Sequence, residues 1–174
     1  MTRLSSSGRK KLVVIGNGMA GVACVEQILK YDHGFEITIF GEETHVNYNR
    51  ILLSCVLAGE KPAEEIVLND ADWYRANGLC ARLGVRVTSI DVRARLVTGA
   101  DGSGTRYDKL IIATGSRPFV PPIEGVNKRN VHVFRTLDDT RDLLSKSGPG
   151  RRAVVIGGGL LGLEAARGLQ VQGC

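Results

Sequence analysis

Residues 11–21 read KLVVIGNGMAG, and no other stretch of the chain restricts its fold as much. An uninterrupted apolar run rich in β-branched residues is what a parallel strand buried on both faces requires. It passes without a spacer into glycines at 16, 18 and 21, the spacing GxGxxG. Apolar residues then recur at helical intervals, Val22, Val25, Ile28 and Leu29, before residues 36–40, EITIF, return to a strand. Strand, glycine turn, helix and strand make a βαβ unit. In such a unit Gly16 allows the tight turn, Gly18 lets the backbone approach a pyrophosphate, and Gly21 lets helix and strand pack closely. The helix N-terminus offers unpaired N–H groups and a positive dipole end to phosphates. Glu42 and Glu43 both stand near the spacing at which a carboxylate holds ribose hydroxyls. The motif by itself does not separate FAD from NAD.

The remaining chain continues in the α/β class. Residues 49–60, NRILLSCVLAGE, predict a helix with Asn49 as N-cap and Gly59 past its end, and residues 70–78 predict another closed by Gly78. Residues 79–97 turn to strands, 97–108 form a hairpin turn, and KLIIATG (109–115) is a second buried strand that delivers Gly115 at its carboxyl end. Ligands of open α/β sheets lie at such strand ends. Pro118, Pro121 and Pro122 interrupt regular structure. One more strand and helix follow over 130–147, then SGPG as a linker. Residues 153–162, AVVIGGGLLG, open a second strand and turn of the same type, with Gly157, Gly159 and Gly162.

Composition removes several function classes. The net charge is +5, but the basic residues fall in short, separated groups, and aromatic residues, 5% of the chain, do not interleave with them. Nucleic acid is therefore not an expected partner. Residues 1–10 lack an apolar signal core, and no apolar run approaches the ~20 residues of a membrane span. Cys24, Cys55, Cys80 and Cys174 form no CxxC, which argues against a zinc ribbon or a dithiol centre and fits reduced thiols in a cytoplasm. His33, His45 and His132 have no partner spacing for a metal or a triad, so no metal site is expected. Cys24 and Cys80 read as packing residues, and Trp73 and Tyr74 as anchors of their helix.

VVIGNGMAG, ITIFGEE, YNRILLS, CVLAGE, YDKLIIATGSRPFVPPIEG and VVIGGGLLGLEAA occur in the order found in the pyridine nucleotide-disulfide oxidoreductase superfamily. Within it the chain most resembles the N-terminal flavoprotein region of NAD(P)H-dependent nitrite reductase large subunits. The resemblance implies a three-layer, Rossmann-like FAD-binding domain over 11–146 behind a flexible tail (1–10). A linker (147–150) and the incomplete start of a NAD(P)-binding domain (151–174) follow. It implies FAD on Gly16, Gly18 and Gly21, with Glu43 preferred over Glu42 for the ribose. Arg50 would lie near the FAD phosphates, and Thr114 and Gly115 would close over the cofactor. NAD(P)H would use Gly157, Gly159 and Gly162. Electrons would pass from NAD(P)H to FAD and then to iron–sulfur and sirohaem centres elsewhere in a longer protein, with a small subunit or a second copy as partner. The chain is accordingly expected to be a fragment, inactive toward NAD(P)H alone.

One stretch departs from related reductases. Rubredoxin and ferredoxin reductases carry Pro-Pro-Leu-Ser-Lys where this chain has Ile51, Leu52, Leu53, Ser54 and Cys55. Cys55 is a candidate redox thiol, as in single-cysteine NADH peroxidases and oxidases. It equally fits a small core residue among Leu52, Val56 and Leu57. Three alternatives stay open: a ferredoxin- or rubredoxin-type FAD reductase, a Cys55-dependent peroxidase or oxidase, and a truncated nucleotide-binding chain without catalysis.

Overall fold

The computed structural model describes residues 8–31 and 34–174. Most of the expected tail and His33 lie outside the described residues. In chain order the elements are β1 (Lys10–Ile15), α1 (Met19–Leu29), β2 (Phe35–Gly41) and β3 (Asn47–Tyr48). A 3₁₀ turn (Arg50–Leu52) leads into α2 (Leu53–Leu57), and a second one (Ala63–Ile66) precedes β4 (Val67–Asn69) and α3 (Ala71–Ala76). Then come β5 (Cys80–Leu83), β6 (Val87–Asp91), β7 (Leu96–Gly99), β8 (Gly104–Arg106), β9 (Lys109–Ile112), α4 (Leu137–Lys146) and α5 (Leu160–Val171). These elements group into two compact units, each discontinuous in sequence. One consists of the described residues of Met1–Tyr48 with Leu68–Gly115, the other of Asn49–Val67 with Ser116–Cys174.

The first unit is built on a parallel sheet in the order β5-β2-β1-β9. Alternation along β1 gives the sheet two apolar faces. Leu12 and Val14, with Ile37 and Ile39 of β2, pack under Val25 of α1 and Tyr74 of α3. Val13 and Ile15, with Phe40, pack under Val97 of the antiparallel sheet β6-β7-β8. Helices, parallel sheet and antiparallel sheet are thus three layers, held by side chains each worth about 1.5–3 kcal/mol when fully buried. β9 is an edge of this sheet, so Ile112 is 62% exposed where the sequence predicts a strand buried on both faces. Cys80 lies on the opposite edge strand and is exposed, which corrects its reading as a packing residue; Cys24 is half-buried.

The second unit is helical. The Asn49 side chain accepts from the Ile51 amide and starts the 3₁₀ turn, and Gly59, at φ +71°, follows the end of α2. α4 opens on a capping box in which Thr136 and Asp139 satisfy each other's backbone N–H groups. α5 lies close against α2: a β-carbon on Gly168 would come 2.8 Å from Leu57 Cγ, and Gln172 Nε2 donates to the Leu57 carbonyl at 2.9 Å. Two expected strands, over 130–135 and 153–157, do not form. A strand exists by pairing, and no neighbour among the described residues offers these segments a ladder. Val154 and Ile156 are 89% and 77% exposed.

Candidate functional site

The first glycine turn is built from close approaches. Gly16 has φ +119°, and a β-carbon there would lie 2.1 Å from the Ala113 carbonyl oxygen. The Gly16 amide donates to the Phe40 carbonyl at 2.8 Å, fixing the turn to the carboxyl end of β2. Gly21 comes so close to the turn that a β-carbon would be 2.2 Å from the Gly16 carbonyl oxygen. Gly18 differs from both. It is the N-cap of α1 in ordinary extended conformation, no side chain caps the helix there, and a β-carbon would meet nothing within 4 Å. The result is an open helix N-terminus on a turn packed against the Ala113 backbone, the arrangement that receives an anion.

Two further parts of the first unit carry candidate residues. The Ala113 amide donates to the Ile15 carbonyl at 2.7 Å, which carries Thr114 and Gly115, both exposed, past Gly16; Gly115 has φ +71°. From the end of β2, Glu43 is half-buried and its carboxylate accepts from the Tyr48 hydroxyl at 2.6 Å. Glu42 is exposed and faces Arg86 at 3.8 Å. The Glu43 carboxylate is thus held in place by a buried side chain, Tyr48.

Sequence reasoning missed two residues of this region. Asn17, a free position in the GxGxxG formula, accepts from the Tyr74 hydroxyl at 2.8 Å and donates to the His45 carbonyl at 3.4 Å. The Tyr74 hydroxyl also accepts from the Asn47 amide at 3.3 Å. Burial pushes the Tyr74 phenol above its usual range. Nothing local in the sequence marks this contact, because Asn17 and Tyr74 are 57 residues apart.

The other candidates belong to the second unit. Arg50 donates to the Arg135 carbonyl at 2.5 Å, just before the capping box of α4. Cys55 is half-buried in α2, and its carbonyl accepts at 2.9 Å from the amide of Glu60, whose carboxylate is exposed. Arg167 binds the same carboxylate at 2.6 Å and holds it below its usual range. Gly157, Gly159 and Gly162 form a turn with the geometry of the first: Gly157 has φ +130°, Gly159 is the uncapped N-cap of α5, and a β-carbon on Gly162 would lie 2.1 Å from the Gly157 carbonyl oxygen. Among the described residues no group of three or more His, Cys, Asp or Glu is placed to hold a metal ion, and no helix is long and apolar enough to cross a membrane.

A three-layer α/β unit with an uncapped glycine turn at the carboxyl end of its central strand defines a dinucleotide-binding protein of the Rossmann-like kind. The pyridine nucleotide-disulphide oxidoreductase family model matches residues 10–174, and the chain belongs to that family. It is 51% identical over 164 residues to a nitrite reductase [NAD(P)H] of Bacillus subtilis, an alignment covering 93% of this chain and 20% of the relative. It is 49% identical over 163 residues to the assimilatory nitrate reductase electron transfer subunit of the same organism, covering 93% and 21%. Among solved structures, a chain of the covalent putidaredoxin reductase–putidaredoxin complex superposes with a TM-score of 0.84 at 31% identity, over 96% of this chain and 41% of that one. The chain thus spans about a fifth of the length of these two curated relatives.

Proposed function

We propose that this chain carries the FAD-holding part of an NAD(P)H-dependent nitrite reductase. The open N-cap at Gly18 carries the nucleotide reading, because it is the one glycine of the first turn whose missing side chain leaves room for something else. FAD fits the residues present: the pyrophosphate on the Gly16–Gly21 turn and the N-terminus of α1, the adenosine ribose on Glu43, with Thr114 and Gly115 beside the turn. When bound, FAD supplies the redox chemistry between a hydride donor and single-electron acceptors, while the protein positions it and excludes competing reactions. The turn at Gly157, Gly159 and Gly162 has the same geometry and would serve the nicotinamide nucleotide. Sirohaem and an iron–sulfur cluster, with a small subunit or second copy, would belong to other parts of a longer, cytoplasmic enzyme.

The 49% identity to a nitrate reductase electron transfer subunit favours a second reading, in which the same flavin step serves nitrate reduction. Deleting the coding gene separates the two. Loss of growth on both nitrate and nitrite as sole nitrogen source supports the nitrite reductase; loss on nitrate alone supports the second reading, and unchanged growth on both overturns each. The nucleotide site is tested on the purified chain. Glu43→Ala should weaken FAD binding by about 1.5–3 kcal/mol, as for a hydrogen bond to a charged group, with Glu42→Ala near the parent in a flavin-fluorescence titration. The reverse order would move the ribose to Glu42.

A further inference from the structure

Behind the open face of the glycine turn lies a chain of polar side chains in the packed interior of the first unit. From Tyr74 it runs in two directions. The hydroxyl donates to Asn17 Oδ1 of the turn and accepts from the backbone amide of Asn47. Asn47, 2% exposed, donates through Nδ2 to Asn69 at 2.8 Å, and Asn69 donates to Glu26 of α1 at 2.8 Å. Tyr74 is 4% exposed, so its hydroxyl was desolvated on folding and is compensated by these two bonds alone among those observed.

The residues joined are those that must keep a fixed distance. Asn17 stands between Gly16 and Gly18 of the turn. His45 and Asn47 belong to the loop that starts at Glu42 and Glu43 and ends at Tyr48, whose hydroxyl holds the Glu43 carboxylate. Asn17 reaches this loop twice, directly through the His45 carbonyl and through Tyr74 to the Asn47 amide. The Glu43 carbonyl also accepts from the Gly84 amide at 2.9 Å, just past β5 of the sheet. We infer that Asn17 and Tyr74 form a clamp that sets the position of the Glu43 carboxylate relative to the pyrophosphate turn, and so are positioning residues for the adenosine half of the dinucleotide. The inference rests on the assignment of this turn and Glu43 to FAD.

A clamp acting through Glu43 differs from a general contribution to the fold, and a double-mutant cycle separates them. Tyr74→Phe removes only the hydroxyl, and Asn17→Ala breaks the same bond from its half-buried end, so the test does not depend on one variant folding. FAD titration of the purified chain should give dissociation constants raised about three- to tenfold for either variant, the range of one net hydrogen bond. In a Glu43→Gln background the further loss should shrink to less than about twofold. Undiminished affinity in both variants, or the same fold-loss with and without Glu43, overturns the clamp while leaving the FAD site intact. A parent chain that binds no FAD overturns the functional reading, and the clamp with it.

Discussion

A β-carbon on Gly21 would lie 2.2 Å from the Gly16 carbonyl oxygen, while one on Gly18 would meet nothing. The same motif therefore contains two glycines demanded by packing and one whose missing side chain leaves open space. Gly21→Ala should destabilise the chain by about 1–3 kcal/mol or more through forced separation of α1 from the turn, read in urea unfolding. Gly18→Val should cost the fold no more than about 1 kcal/mol at an N-cap and yet abolish FAD retention. Tyr74 gives a pH signature. Burial raises its folded-state pKa above the ordinary tyrosine value near 10, so the neutral form belongs to the fold. That contribution is complete below pH 10 and is lost as pH rises above it toward the folded pKa. Unfolding free energies between pH 9 and 11.5 should fall more steeply for the parent than for Tyr74→Phe. The glycine positions were legible because their cause is local, a turn and a close approach. The Asn17–Tyr74 bond was not, because its partners meet only once the sheet has formed.

Elements were legible where their signals are contained within them. The uninterrupted apolar run of β1 marked a strand buried on both faces, and Asn49 and Gly59 bracketed α2. Failures came where an apolar run needed a neighbour. Residues 130–135 read as a strand, yet they run as coil into α4, their last amide taken by the Asp139 carboxylate and the Arg135 carbonyl by Arg50. Residues 153–157 are unpaired, though the turn and helix that follow them form fully. The contact of α5 with α2 was equally unforeseen, since Gly168 carries no motif. At this contact Gly168→Val would force a side chain into Leu57, which is fully buried. An unfolding midpoint lowered by the equivalent of about 1–3 kcal/mol, with the first unit's flavin binding unchanged, is the expected outcome.

At the scale of the molecule, the first unit is made of two stretches of chain with a segment of the second unit between them. The α/β class was readable, because it follows from the order of strands and helices, while the three layers were implied by the family resemblance. The discontinuity was not, because it depends on which distant strands pair. β1 pairs with β2 over its whole length but with β9 only after the chain has passed through every other strand. Lys11 and Asp108, joined by a 2.7 Å bond between amide and carboxylate, are 97 residues apart. During translation, at about 5–20 residues per second, β1 therefore waits roughly 5–20 s with one apolar edge open. Ribosome-bound chains arrested before β9 has emerged should be digested readily by protease, and those arrested after it should resist. The strand at the centre of the first unit's sheet thus keeps an apolar edge exposed to other nascent chains until the last strand of that sheet has been made.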